Sequence, residues 1–136
     1  MYIGSPIKDW CELRDKRVAI PNPVTEGIGA LFRDLYNEYC GDYLEFVSKG
    51  NVYITKIHHR EIPQLLSQGL IDAGVMWTTE ANYWNYPHIT PAKNKKGRLA
   101  FALMPWASKE ARELYNQLRK DEVKRIYEKY GFKWIA

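Results

Sequence analysis

The densest group of chemistry-bearing side chains in this chain is the run His58-His59-Arg60-Glu61. Two imidazoles could move a proton, ligate a metal or donate hydrogen bonds, and a guanidinium beside a carboxylate could clamp an anion. Neighbouring residues in regular structure point to different sides, and His88 is the only other histidine, so no metal site is expected. The plainer readings are one packed and one hydrogen-bonded imidazole, with Arg60 paired to Glu61. A cation at the start of a helix opposes the helix dipole, however, and an anion held between the helix amides and Arg60 would compensate. Glu26 occupies a similar place earlier in the chain. It serves as a helix-start acid, and it would repel an anionic ligand unless it is protonated, bound to a cation, or coordinated to the ligand's central atom. No nucleophile elbow, Walker loop, GxGxxG or paired-carboxylate spacing occurs, so binding without catalysis is expected, with no catalytic residue and no cofactor.

These residues must be positioned by alternating strands and helices. Arg17-Val18-Ala19-Ile20 is a strand stopped by Pro21-Asn22-Pro23, after which Ile28, Leu31, Phe32, Leu35, Tyr36 and Tyr39 fall on one side of a helix ended by Gly41. Asn22 or Thr25 could cap that helix. Asp42 to Gly50 reads as a short helix. The stretch Asn51 to Ala81 reads as strand, polar turn, helix, strand and turn, with Ile62, Leu65, Leu66 and Leu70 at helical spacing and Ala73 to Trp77 as a buried parallel strand. His88 to Pro91 suggests an edge strand, Ala92 to Gly97 a charged loop, and Leu99 to Met104 a further strand. Two helices follow, broken near Lys120-Asp121. The order predicts an α/β fold, with a mostly parallel five-stranded sheet and helices on both faces. Residues 1–136 are expected to form a single domain, of which 1–16 is a lead-in with a helical turn at Asp9 to Leu13.

In such a sheet, ligands meet the carboxyl ends of strands and the amino ends of helices. Those places hold Asn22, Thr25, Glu26 and Gly27, then His59, Arg60, Glu61 and Ile62, then Trp77. A small anion is the expected ligand. The charge of +4 at pH 7 is modest, and Lys and Arg are spread except at Lys93, Lys95, Lys96 and Arg98, so nucleic acid is not expected. No stretch is apolar enough to enter a membrane, and the amino terminus lacks a secretory signal, which reads as a cytoplasmic chain or as a piece of an exported one. Cys11 and Cys40 lack CxxC spacing; a disulfide is open to them, but two unpaired thiols are the preferred reading.

Three stretches carry a family likeness: RVAIPNPVTEG (Arg17 to Gly27), IHHREIPQLLSQGLIDAGVMWTTEA (Ile57 to Ala81), and the tail from Ala111 to Phe132 that ends in KYGF. Together, and in this order, they resemble the second lobe of ABC-transporter substrate-binding proteins of periplasmic-binding-protein type II, closest to the molybdate/tungstate-binding kind. The resemblance implies a transporter permease as partner. It also implies an oxyanion seated on the amides at Glu26 and Gly27 and near Arg60 to Ile62, with Trp77 where the family's oxyanion binders carry a tyrosine. Cytoplasmic ligand sensors use the same fold, as do enzymes, in which His58 or His59 would be the acid or base. A lone lobe would expose surface meant for burial, at Trp10, Trp84, Trp106, Phe132 and Trp134. The chain is therefore expected to form a homodimer or to pair with a separate first-lobe chain.

Overall fold

The computed structural model describes residues 7–49 and 51–135, which fall into two compact units divided after Gly97. The first unit is built on a parallel sheet of three strands, β1 (Val18–Ile20), β2 (Val52–Ile54) and β3 (Ala73–Gly74), in the order β2-β1-β3. Val18 pairs with Val52 on one side and with Ala73 on the other, so the central strand is the one that leads into Pro21-Asn22-Pro23. Helices α1 (Gly27–Tyr39) and α2 (Tyr43–Ser48) connect β1 to β2, and α3 (Glu61–Ser67) connects β2 to β3. The helix α4 (Thr78–Trp84) follows β3.

Side-chain alternation along β1 divides the core between the two faces of the sheet. Val18 and Ile20 point to a cluster with Phe32, Tyr36, Tyr43 and Phe46, while Ala19 meets Ile62, Leu66 and Ile71 on the opposite face. Helices thus cover both faces, as the apolar periodicity predicts. Each fully buried Ile or Val contributes about 1.5–3 kcal/mol of transfer free energy, which makes this small sheet the stable centre of the unit. Two glycines allow the layers to close. A Cβ on Gly29 would collide with the carbonyl oxygens of Pro21 and Asn22, and one on Gly74 would collide with Ile62.

Three expectations are corrected. The sheet has three strands among the described residues, not five. His88 to Pro91 and Leu99 to Met104 form no ladder, and Leu99 and Phe101 are exposed. An uncharged run becomes a strand only where a sheet edge meets it, and β3 contributes just two paired residues. The cysteines are joined, Cys11 to Cys40, with Cα atoms 5.1 Å apart. The 3-10 turn Trp10–Asp15 lies against the end of α1, where Arg14 donates to the Cys40 carbonyl at 3.2 Å, and this packing is invisible in Cys spacing. Trp10 is not left open: its indole N–H donates to the Lys93 carbonyl at 2.7 Å and its ring packs edge-on against Phe32.

The second unit, residues 98–135, holds α5 (Lys109–Leu118) and α6 (Asp121–Lys129), with Ser108 capping α5 through the Ala111 amide. Tyr127 makes edge contacts with Phe101, Phe132 and Trp134. No described residue of this unit is fully buried.

Candidate functional site

The carboxyl ends of β1 and β2 and the start of α4 bring together three carboxylates and two imidazoles. Glu26 sits at the N-cap of α1, and its carboxylate is saturated by the protein itself. Oε2 accepts from the Thr55 hydroxyl at 2.7 Å and the Asn22 amide at 3.2 Å, while Oε1 accepts from the His59 amide at 2.6 Å and lies 2.7 Å from His59 Nδ1. Burial pushes Glu26 upward, but the hydrogen bonds from Thr55, His59 and Asn22 outweigh it and hold the group below the usual carboxylate range. Among the described residues Thr55 is the one buried polar residue, and it also accepts from the Asn22 amide at 3.1 Å.

Glu61 plays the corresponding part in the next turn. Its Oε2 accepts from the amides of Lys56, Ile57 and His58 at 2.9, 2.8 and 3.1 Å, and Oε1 accepts from the Tyr53 hydroxyl at 2.7 Å. These donors, against the upward pull of burial, keep it below the ordinary range. Glu61 is therefore the anion of this amide cradle. The expected Arg60–Glu61 pair is replaced by this loop closure, and Arg60 itself is exposed.

His58 and His59 do not diverge as neighbours in a strand would. They lie in the turn before α3, where their rings face each other with centroids 3.9 Å apart. Candidate ligand atoms of Glu26, His58 and His59 all lie within 4.8 Å of one another, so the two imidazoles share one side of the turn. His59 is enclosed on its other side by Glu80 of α4, with Nε2 3.4 Å from Glu80 Oε2. That oxygen is shut off from solvent and has no hydrogen-bond partner. Burial pushes the Glu80 carboxyl up, against the opposing influence of His59 and Arg60.

Asn22, Glu26 and His59 thus come together as the sequence reading places them. The amides of Thr25, Glu26, Arg60, Glu61 and Ile62 are each engaged by Asn22, His58 or His59. Among those named helix-start amides, that of Gly27 has no partner among the described residues, and the space beside it is open. The Ile62 side chain is wholly buried and belongs to the core. Trp77 packs its indole on Gly97 and lines a different cleft of about 80 Å³, shared with Trp10, Ile28, Phe32 and Met76. Sequence reasoning missed Thr55, Glu80 and the joint position of His58. The available signal was an acid at the start of each helix that follows a strand: Glu26, Glu61 and Glu80.

Comparison with known proteins adds one finding. The family described as bacterial extracellular solute-binding protein matches residues 4–133, nearly the whole chain, and the chain belongs to that family. No curated protein and no solved structure matches it.

Proposed function

We propose that this member of the bacterial extracellular solute-binding family holds a small polar solute, without chemical turnover, at the carboxyl edge of its parallel sheet. The observation that carries the reading is the convergence of Glu26, His58, His59 and Glu80 at the ends of successive elements, with one buried Glu80 oxygen left without a donor. A group held so rigidly by core contacts is suited to recognition, because little ordering remains to be done on binding. Among the described residues, His58 and His59 are engaged by Glu26, Glu80 and the Arg60 amide, which favours carriage over catalysis. The natural partner of such a domain is a transporter permease. Its natural setting lies outside the cytoplasm, where a disulfide such as Cys11–Cys40 persists.

A second reading names the solute as an oxyanion such as molybdate or tungstate. It is favoured by Gly27, whose amide is open at the start of the thirteen-residue α1, where the dipole attracts negative charge. Thermal-shift and calorimetric screening against molybdate, tungstate, sulfate, phosphate and small carboxylates tests both readings. An oxyanion signal should vanish in Gly27→Pro, which deletes that amide at a helix position where proline fits. A signal that survives Gly27→Pro and Arg60→Ala would move the anion elsewhere, and no signal from any solute would remove the carriage reading.

A further inference from the structure

Resting on the reading that solute is met at this edge, we propose that His59 Nε2 and Glu80 Oε2 bind a divalent transition-metal ion such as Zn2+, with Glu26 orienting His59. The geometry supplies the argument. His59 Nδ1 lies 2.7 Å from a Glu26 oxygen that is an acceptor in all its other contacts, so Nδ1 carries the proton and Nε2 presents its lone pair. That lone pair faces Glu80 Oε2 at 3.4 Å, where no hydrogen bond forms. A metal cation between these two atoms would satisfy both, displacing any proton they share. Zinc–nitrogen and zinc–oxygen bonds of about 2.0–2.2 Å at a tetrahedral angle put their ligand atoms roughly 3.4 Å apart.

The surroundings match the way proteins prepare such a ligand. A metal-binding histidine characteristically donates its other ring N–H to a carboxylate, which fixes tautomer and ring orientation. Glu26 does this, and it is itself locked by Thr55, Asn22 and the His59 backbone. His58 lies on the solvent side, with Nε2 4.0 Å from Glu26 Oε1. Its Nδ1 accepts the Arg60 amide at 3.2 Å, a bond that ligation through Nε2 would give up, so His58 stands outside the ligand pair. Imidazole with carboxylate suits Zn2+, Ni2+ or Co2+ better than Mg2+ or Cu+. A bound cation would also offset the carboxylates that otherwise repel an anionic solute.

The test is equilibrium dialysis and calorimetry of the full chain with Zn2+ and with Mg2+, alongside NMR of the histidine ring nitrogens. Expected are stoichiometric Zn2+ uptake with little Mg2+ uptake, a shift of the His59 Nε2 signal, and no shift at His88. Glu80→Gln and His59→Gln should each lower Zn2+ affinity at least tenfold, Glu26→Gln by about 10–100-fold as for other orienting carboxylates, and His58→Ala least. Circular dichroism without metal confirms that each variant is folded; the wild-type ring-nitrogen shift decides the matter if one is not. Absence of Zn2+ uptake, a shift at His88 alone, or uptake unchanged by both Glu80→Gln and His59→Gln overturns the proposal. Repeating the solute screen with a chelator separates this outcome from the carriage reading: solute binding that persists while Zn2+ uptake is absent overturns the metal site and leaves the carriage reading standing.

Discussion

The two units of this chain treat their apolar side chains in opposite ways. In residues 7–97, Val18, Ala19, Ile20 and Tyr36 are each at 0% exposure, enclosed between a sheet and helices on both faces. In residues 98–135, Trp106 is 78% exposed and Leu114 59%, although α5 and α6 are as strongly amphipathic as helices at a protein surface usually are. Periodicity makes a helix with an apolar stripe; only an opposing layer buries that stripe. The first unit contains its opposing layer in β1 to β3, and the second, taken by itself, is built from two helices and the segments on either side of them.

That contrast can be broken first by truncating apolar residues in each unit. Phe32→Ala in the core should cost about 3–5 kcal/mol, whereas Leu114→Ala should stay within about 0.5 kcal/mol, as exposed positions do. Denaturant titration followed by tryptophan fluorescence reads both, and a Leu114→Ala loss as large as that of Phe32→Ala would mean that the second unit is covered in solution. Opening the Cys11–Cys40 link by a double serine substitution comes next, at about 2–4 kcal/mol. The loss should be reproduced by a reducing agent acting on the wild type.

A smaller effect is expected from pH. Asp72 joins the start of β3 to Arg17, whose Nη2 lies 2.6 Å from its Oδ1, and the hydrogen bonds from Arg17 hold Asp72 below its ordinary value. A carboxylate lowered in the folded state contributes stability that is present above its unfolded pKa, near 4, and is lost as pH falls through the folded value. Glu61 is lowered in the same direction. Stability measured from pH 6 down to pH 2 should therefore decline, and Asp72→Asn should flatten part of that decline. A variant with an unchanged slope would deny the pair a role in folding. The smallest expected change is a gain: Gly27→Pro should stabilise by about 0.4–1 kcal/mol. The preceding Glu26 already has the extended backbone, φ −128° and ψ 129°, that proline demands of its neighbour.

The elements that were legible in the sequence are those whose pattern is local. The β1 strand, the stop at Pro21-Asn22-Pro23, α1 through α3 and the break between α5 and α6 all follow from spacing and breakers. What was not legible depends on long-range contact. Leu99 to Met104 has strand composition, yet no edge receives it. Cys11 meets Cys40 because a 3-10 turn folds onto the end of α1. The site shows the same division. Glu26, His59 and Arg60 could be placed at element ends by counting, whereas the meeting of Thr55 and Glu80 with them depends on the parallel register that brings the ends of β1, β2 and β3 together. The anion expected near Arg60 to Ile62 meets amides that the His58 ring and the carbonyls of His58 and His59 already engage, while Glu61 closes its own loop on the amides of Lys56, Ile57 and His58, which leaves no distinct mark on sequence.

The exposed apolar face of the second unit also bears on the expectation of association. If Trp106, Leu114 and Phe101 stay open in solution, a hydrophobic dye should bind the chain, and Trp106→Ser with Leu114→Ser should reduce that binding. Sedimentation at micromolar concentration then reads whether copies of the chain cover this face, in which case wild-type dye binding would be weak and the mass above 16.0 kDa.

The central claim is that solute meets the carboxyl edge of the sheet at Glu26, His59 and Glu80. Its most direct test is a titration of backbone amide NMR signals with whichever solute the screen selects. The account expects the largest shifts at Asn22, Gly27, His58, His59 and Glu80, with the signals of α5 and α6 still. Shifts confined to the cleft lined by Trp10, Phe32 and Trp77, or to the second unit, would contradict it.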